Sequence, residues 1–181
     1  MNHMINLLGI SGALRADSTN TKLIRNAATL FGPASFTMAD LRLPLYDGDE
    51  ETAFGAPASA ITLHAQIAAA DAIIISTPEY NKGLSGVLKN ALDWVSRIKP
   101  NPWAAKPVAV MSAAGGRAGG EVAQFTLRHC LTPFAPHLVL GSSVMLADAR
   151  KQFDENGNLT NEITVKGLST LMEALRKAAT P

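Results

Sequence analysis

The side chains richest in chemistry lie in one short stretch, Gly9-Ile10-Ser11-Gly12-Ala13-Leu14-Arg15-Ala16-Asp17-Ser18-Thr19-Asn20. Ser11, Ser18, Thr19 and Asn20 carry short hydrogen-bonding groups, and Arg15 carries a planar fork of donors. The apolar run Met4 to Ile10 enters this stretch. A pattern with Leu23, Ile24, Ala27, Ala28 and Phe31 at helical spacing leaves it. That order predicts a strand, a polar loop and a helix. Such a loop gathers the unpaired N–H groups of a helix N-terminus and the positive end of its dipole, so its natural guest is a phosphate. Ser18, Thr19 and Asn20 also suit plain helix capping. No Gly-Lys-Ser/Thr follows at Walker spacing, and Gly9 and Gly12 lack the partners of a dinucleotide fingerprint.

Two further loops have matching chemistry. Thr77-Pro78-Glu79-Tyr80-Asn81-Lys82-Gly83 offers a fixed turn at Pro78, an aromatic face at Tyr80, and donors and acceptors at Asn81. Ser112-Ala113-Ala114-Gly115-Gly116-Arg117-Ala118-Gly119-Gly120 is glycine-rich, so its backbone can approach a ring edge. Each loop alone reads as an ordinary turn. Together they describe a phosphate site beside a slot for a flat ring, which flavin mononucleotide fits best.

The elements that must position these loops alternate along the whole chain. Ser35 to Asp40 reads as a short strand, and Leu41 to about Ala56 as a loop. Pro57 opens a helix carrying Ile61, His64, Ala65, Ile67 and Ala68. Ala72-Ile73-Ile74-Ile75-Ser76 and Pro107-Val108-Ala109-Val110-Met111 are uniformly apolar, as strands covered on both faces should be. Leu84, Val87, Leu88, Ala91, Leu92 and Val95 share a helix face, with Trp94 at its edge, placed to serve the core or to meet a neighbouring subunit. A helix with Val122, Ala123, Leu127, Cys130 and Leu131 follows. His137 to Leu140 and Ser143 to Leu146 form an interrupted last strand. Asn156-Gly157-Asn158 turns the chain, and Ile163 to Ala178 closes it as a helix. This alternation predicts one α/β domain over residues 1–181, with a parallel sheet wound on both faces and ligands at the carboxyl ends of its strands.

Composition narrows the classes. The 181 residues are 47% hydrophobic and 17% charged, enough for a sizeable core. The net charge of +1 provides no basis for a nucleic acid or an anionic membrane as partner. A single cysteine, Cys130, excludes an internal disulfide and fits a small core residue. No basic-then-apolar leader and no apolar run of spanning length is seen, so a cytoplasmic protein is expected. His3, His64, His129 and His137 lack metal-ligand spacing, and Asp47 to Glu51 reads as a solvated loop. Asp17 is expected to point away from a bound phosphate.

The chain resembles the NADPH-dependent FMN reductase family. Gly9 to Arg15 through Ser18-Thr19-Asn20 is similar to its phosphate loop. Thr77-Pro78-Glu79-Tyr80-Asn81 followed by Gly86-Val87-Leu88-Lys89-Asn90-Ala91-Leu92-Asp93-Trp94 is similar to its most diagnostic segment. The resemblance covers nearly the whole chain. It implies a flavodoxin-like three-layer α/β/α sandwich with five parallel strands in the order 2-1-3-4-5. It also implies bound FMN, NADPH or NADH as co-substrate, and a homodimer or homotetramer. The acceptor would be a small molecule such as free flavin, quinone, azo dye or chromate. Ala114-Gly115-Gly116 stands where relatives often carry Ser-Pro-Gly, Val122 where Arg is common, and Ser85 where Pro is common.

The expected cofactor contacts are Ser11, Arg15, Ser18, Thr19, Asn20, Pro78, Glu79, Tyr80, Asn81, Ser112, Gly115 and Gly116. No side chain is expected to act as acid or base, because the cofactor carries the hard chemistry. The function expected is FMN-dependent NAD(P)H oxidoreduction. The alternatives are a flavodoxin-like electron carrier, a flavin-binding sensor, and a nicotinamide-binding domain in which Asp40 holds a ribose.

Overall fold

The computed structural model describes residues 4–180. In chain order the main elements are β1 (Asn6–Ser11), α1 (Thr19–Phe31), β2 (Ser35–Met38), α2 (Gly48–Phe54), α3 (Ala58–Ala69), β3 (Ala72–Thr77), α4 (Gly86–Arg97), β4 (Pro107–Ala113), α5 (Glu121–Leu131), β5 (His137–Leu138), β6 (Met145–Leu146) and α6 (Glu162–Ala179). All the strand pairings within the sheet are parallel, in the order β2-β1-β3-β4-β5. β6 also pairs with β4, at Ser112 and Ala113, while β5 pairs at Pro107 and Val108. The two short pieces therefore share one edge position, as the interrupted last strand predicts.

Side chains alternate across the central strands and feed two cores. Leu7, Ala72, Ile74, Ala109 and Met111 pack with α1 and α6 on one face. Leu8, Ile10, Ile73, Ile75, Val108 and Val110 pack with α3, α4 and α5 on the other. Uniformly apolar strands are what a sheet buried on both faces requires. The three-layer α/β/α arrangement expected from the resemblance is thus present. α1 lies against β1 because residue 9 is glycine: a Cβ there would sit 2.6 Å from Ile24 Cγ2.

Two expectations are corrected. Asp47 to Glu51 is not a loop. Asp47 caps α2 by accepting from Asp49 N at 2.8 Å, and Asp49, Glu50 and Glu51 occupy its first turn, where carboxylates suit the helix dipole. Arg97 Nε donates to both Glu51 oxygens at 3.0 and 2.9 Å, and Tyr46 OH donates to Glu51 Oε2 at 3.0 Å. The Arg97 guanidinium holds the Glu51 carboxyl below its ordinary range, and the same carboxylate raises the Tyr46 phenol. In α3 the buried face is Ala60, Leu63 and Ile67, whereas Ile61 is 52% exposed. Alanines at five of the twelve positions of this helix give little contrast between its faces.

Trp94 takes the core role. It is 2% exposed within this one chain. Its Nε1 donates to Pro44 O at 2.8 Å, and its ring meets Tyr46 edge-on at 5.0 Å. Asn90 grips the same segment from both sides, donating to Pro44 O at 2.9 Å and accepting from Tyr46 N at 2.8 Å. This face of α4 fastens the 41–47 loop and is not available to a neighbour.

Candidate functional site

The three polar loops follow β1, β3 and β4 and converge at the carboxyl end of the sheet. Between them lies a cavity of about 520 Å³. That is within the range of small-molecule sites, roughly 300–1,000 Å³. A groove of about 590 Å³ is larger, but the C-terminal parts of α4 and α5 line it, with Asp93, Cys130 and Phe134. In a parallel sheet those helix ends lie at the opposite end from the three loops. Cys130 is half-buried there and packs on the second core.

The first loop is braced from below. Gly12 N donates to Ser76 O at 2.8 Å, and a Cβ at residue 12 would meet Ser85 Oγ at 2.9 Å and Pro78 Cδ at 3.2 Å. Glycine is therefore required for the first two loops to touch. Arg42 Nη2 donates to Leu14 O at 2.9 Å and Arg42 Nη1 pairs with Asp40 at 3.2 Å, which engages the carboxylate considered as a ribose ligand. Ser18 caps α1 by accepting from Thr21 N at 3.3 Å. The amides of Thr19 and Asn20 open the helix, where no intrahelical acceptor exists, and its first turn holds no acidic residue. Arg15, Ser18, Thr19 and Lys22 line the cavity beside this open end. Asp17 is exposed at the rim, paired with Lys22, whose ammonium holds its carboxyl below the ordinary range.

Pro78, Glu79 and Tyr80 line the cavity from the second loop, and Ala113, Ala114 and Gly115 line it from the third. Tyr80 is 55% exposed. A Cβ at Gly115 or Gly116 would meet nothing within 4 Å. Intramolecular packing does not demand glycine at either position, and of the two only Gly115 lines the cavity. The demanding glycines are Gly119 and Gly120, at φ +60° and +89°. A Cβ at Gly119 would lie 2.5 Å from the Met145 carbonyl.

Several expected contact residues are committed elsewhere. Ser11 Oγ bonds Thr21 Oγ1 at 2.9 Å and does not line this cavity. Asn20 lines it, but three hydrogen bonds hold its side chain: Nδ2 donates to Ala113 O at 2.9 Å, and Oδ1 accepts from Ser76 Oγ at 2.7 Å and Ala113 N at 3.0 Å. Ser112 is fully buried, donates to Gly119 O at 2.6 Å and accepts from Gln124 Nε2 at 3.1 Å. Glu79 Oε2 accepts from Ala123 N in the first turn of α5 at 3.3 Å, and Oε1 meets Lys82 Nζ at 3.5 Å. Asn81 and Lys82 both take positive φ, +50° and +64°, in a tight turn closed by mutual Tyr80–Gly83 backbone bonds. Asn81 and Gly116 lie outside the cavity lining.

The structure adds a fourth wall that the motifs do not show: Ala149, Arg150 and Phe153. A single helical turn, Ala149–Lys151, carries the first two, anchored by Ala149 N to Ala114 O at 3.1 Å, and Phe153 follows it in a bridge with Leu159. Lys22 Nζ lies 6.0 Å from the Phe153 ring centroid. Among the described residues no group of His, Cys, Asp and Glu is placed to hold a metal, and His3 lies outside them. Among the described residues no helix is long and apolar enough to cross a membrane.

The residues present fit FMN: an open helix end with an arginine for the phosphate, in the same cavity as Tyr80 and the backbone of the third loop. Comparisons agree. The sequence model of the NADPH-dependent FMN reductase family matches residues 5–151. An NAD(P)H-dependent FMN reductase of Pseudomonas aeruginosa is 38% identical over 178 residues, 97% of this chain and 96% of that one. A 2-hydroxy-1,4-benzoquinone reductase of a Burkholderia species is 38% identical over 168 residues, 91% of this chain and 90% of that one. The flavoenzyme NAD(P)H:(acceptor) oxidoreductase of Paracoccus denitrificans superposes with a TM-score of 0.87 at 30% identity, covering 97% of each chain.

Proposed function

The chain belongs to the NADPH-dependent FMN reductase family, and from that premise we propose which of its residues serve the reaction. The protein is an FMN-dependent NAD(P)H oxidoreductase. Its electron acceptor is a small molecule, and a quinone is the class we favour. When bound, FMN supplies the two-electron chemistry that links NAD(P)H to that acceptor.

The chain's own work is binding and orientation. Arg15, Ser18, Thr19 and the opening amides of α1 hold the phosphate. Pro78, Tyr80 and the backbone from Ala113 to Gly115 flank the ring. Asn20 and Ser112 support these walls from behind, and Glu79 joins two of them. Backbone N–H groups of the third loop favour negative charge on the ring edge they face, a preorganised effect that needs no acid or base. The single observation that carries this reading is the open, acid-free start of α1 beside Arg15 in the same cavity as the Tyr80 slot. The reading includes a single domain over residues 1–181 in the cytoplasm.

The test is NADPH oxidation with added FMN and a benzoquinone. Donor and acceptor use one cleft in turn, so double-reciprocal plots at several acceptor concentrations should be parallel. A chain that takes up no flavin in excess FMN overturns the assignment. We also infer a homodimer or homotetramer. Leu45, Phe54 and Phe125 are exposed apolar side chains that an interface would cover. Light scattering at micromolar concentration should give at least twice the 19.1 kDa chain mass; a monomer with full activity refutes this.

A further inference from the structure

The cleft's charges leave a definite surplus. Its lining holds Arg15, Lys22 and Arg150 against Asp17 and Glu79. Asp17 is paired with Lys22. Glu79 is taken by the first turn of α5 and by Lys82. Arg15 and Arg150 remain, each with no hydrogen bond or ion pair to another described residue. A phosphomonoester carries close to two negative charges near neutral pH, so two unpaired guanidinium groups match one such dianion.

Arg150 is also held in place. Asp148 takes a positive φ of +45°, which turns the chain into the Ala149–Lys151 helical turn. Ala149 is buried and bonded to Ala114 O. Gln152 Nε2 donates to Ala147 O at 3.2 Å, and Thr160 N donates to Gln152 O at 3.0 Å. The backbone that carries the guanidinium is thus fixed to the third loop on one side and to the segment before α6 on the other.

We propose that Arg150 is a phosphate-binding residue of this cleft, sharing with Arg15 a phosphomonoester dianion of a bound nucleotide. The assignment rests on the cofactor reading given above. Two ligands of the reaction carry such a group, FMN at its 5′ position and NADPH at its 2′ position, and each has a counterpart without it. The guanidinium matters for the phosphate and not for the ring, so removing it should separate FMN from riboflavin.

The experiment compares wild type, Arg150→Gln, Arg150→Lys and Lys151→Gln. Lys151 is exposed, lies outside the cavity lining and controls for the loss of one positive charge. Flavin-stripped full-length protein is titrated with FMN and with riboflavin by fluorescence. FMN-loaded protein is titrated with NADP⁺ and NAD⁺ by calorimetry. Arg150→Gln should weaken FMN about tenfold and riboflavin less than about twofold, as expected for one charge-assisted hydrogen bond. Arg150→Lys should recover part of the loss, and Lys151→Gln should change nothing. A selective loss for FMN supports the shared site; a selective loss for NADP⁺ overturns the sharing, because Arg15 is assigned to the FMN phosphate. Equal losses within both pairs, or none, overturn the proposal while wild type still binds FMN. Wild type that binds no flavin overturns the cofactor reading together with it.

Discussion

Asn20→Ala is expected to lower the free energy of unfolding by about 3–6 kcal/mol in urea denaturation of the flavin-free chain. The side chain is 2% exposed and joins the first turn of α1 to the ends of two strands. Its loss strands three groups: the Ala113 N–H, the Ala113 carbonyl and the Ser76 hydroxyl. Ser76 and Ala113 are buried, so bulk water does not replace the lost partner. Each abandoned buried group costs roughly 1–3 kcal/mol, against a total stability of about 5–15 kcal/mol for an ordinary domain. Asn20→Asp should be no better, since it turns a carboxylate oxygen toward the Ala113 carbonyl and buries a charge. FMN and riboflavin should weaken together in both variants. A loss under about 1 kcal/mol would show that the strand ends find other partners.

Arg15→Ala should weaken FMN by about ten- to a hundredfold, the value of a hydrogen bond to a charged group at roughly 1.5–3 kcal/mol. Riboflavin, which has no phosphate, should change by less than about threefold. The structure sharpens this contrast, because Arg15 has no hydrogen bond or ion pair to another described residue whose loss would disturb the loop. Ser18→Ala should cost about 1 kcal/mol through its cap on Thr21 N, and that cost should appear in stability as well as in affinity. Lysine at position 15 should restore only part, since it lacks the guanidinium fork. The check is a fluorescence titration of both flavins. Equal losses would assign Arg15 to the loop's own fold.

The sheet was legible because its strands are buried on both faces: Ala72 to Ser76 and Pro107 to Met111 have no polar alternation to confuse with a surface strand. The loops were legible because strand ends, glycine and serine coincide three times. Side-chain roles were harder. A buried Asn20 or Ser112 that ties loops together uses the same donors and acceptors as one that binds a ligand, and only the partners at 2.6–3.0 Å tell them apart. Gly115 and Gly119 are the same letter four residues apart. One meets open space and the other meets a carbonyl of β6, a strand distant in sequence. Arg150 and Phe153 sit in a segment with no periodicity. They reach the cleft because the preceding strand, β6, pairs with Ser112 and Ala113. Asp47 to Glu51 looked like solvated charge, yet its acids are arranged as a helix start.

The bond from Glu79 to Ala123 N spans the mouth of the cleft. It fixes the Tyr80 hairpin to the start of α5, and the rigid Gly119-Gly120 bend precedes that helix. One hydrogen bond thus couples the loop after β3 to the helix that follows the loop after β4, and the carboxylate that makes it also lines the cavity between those two walls.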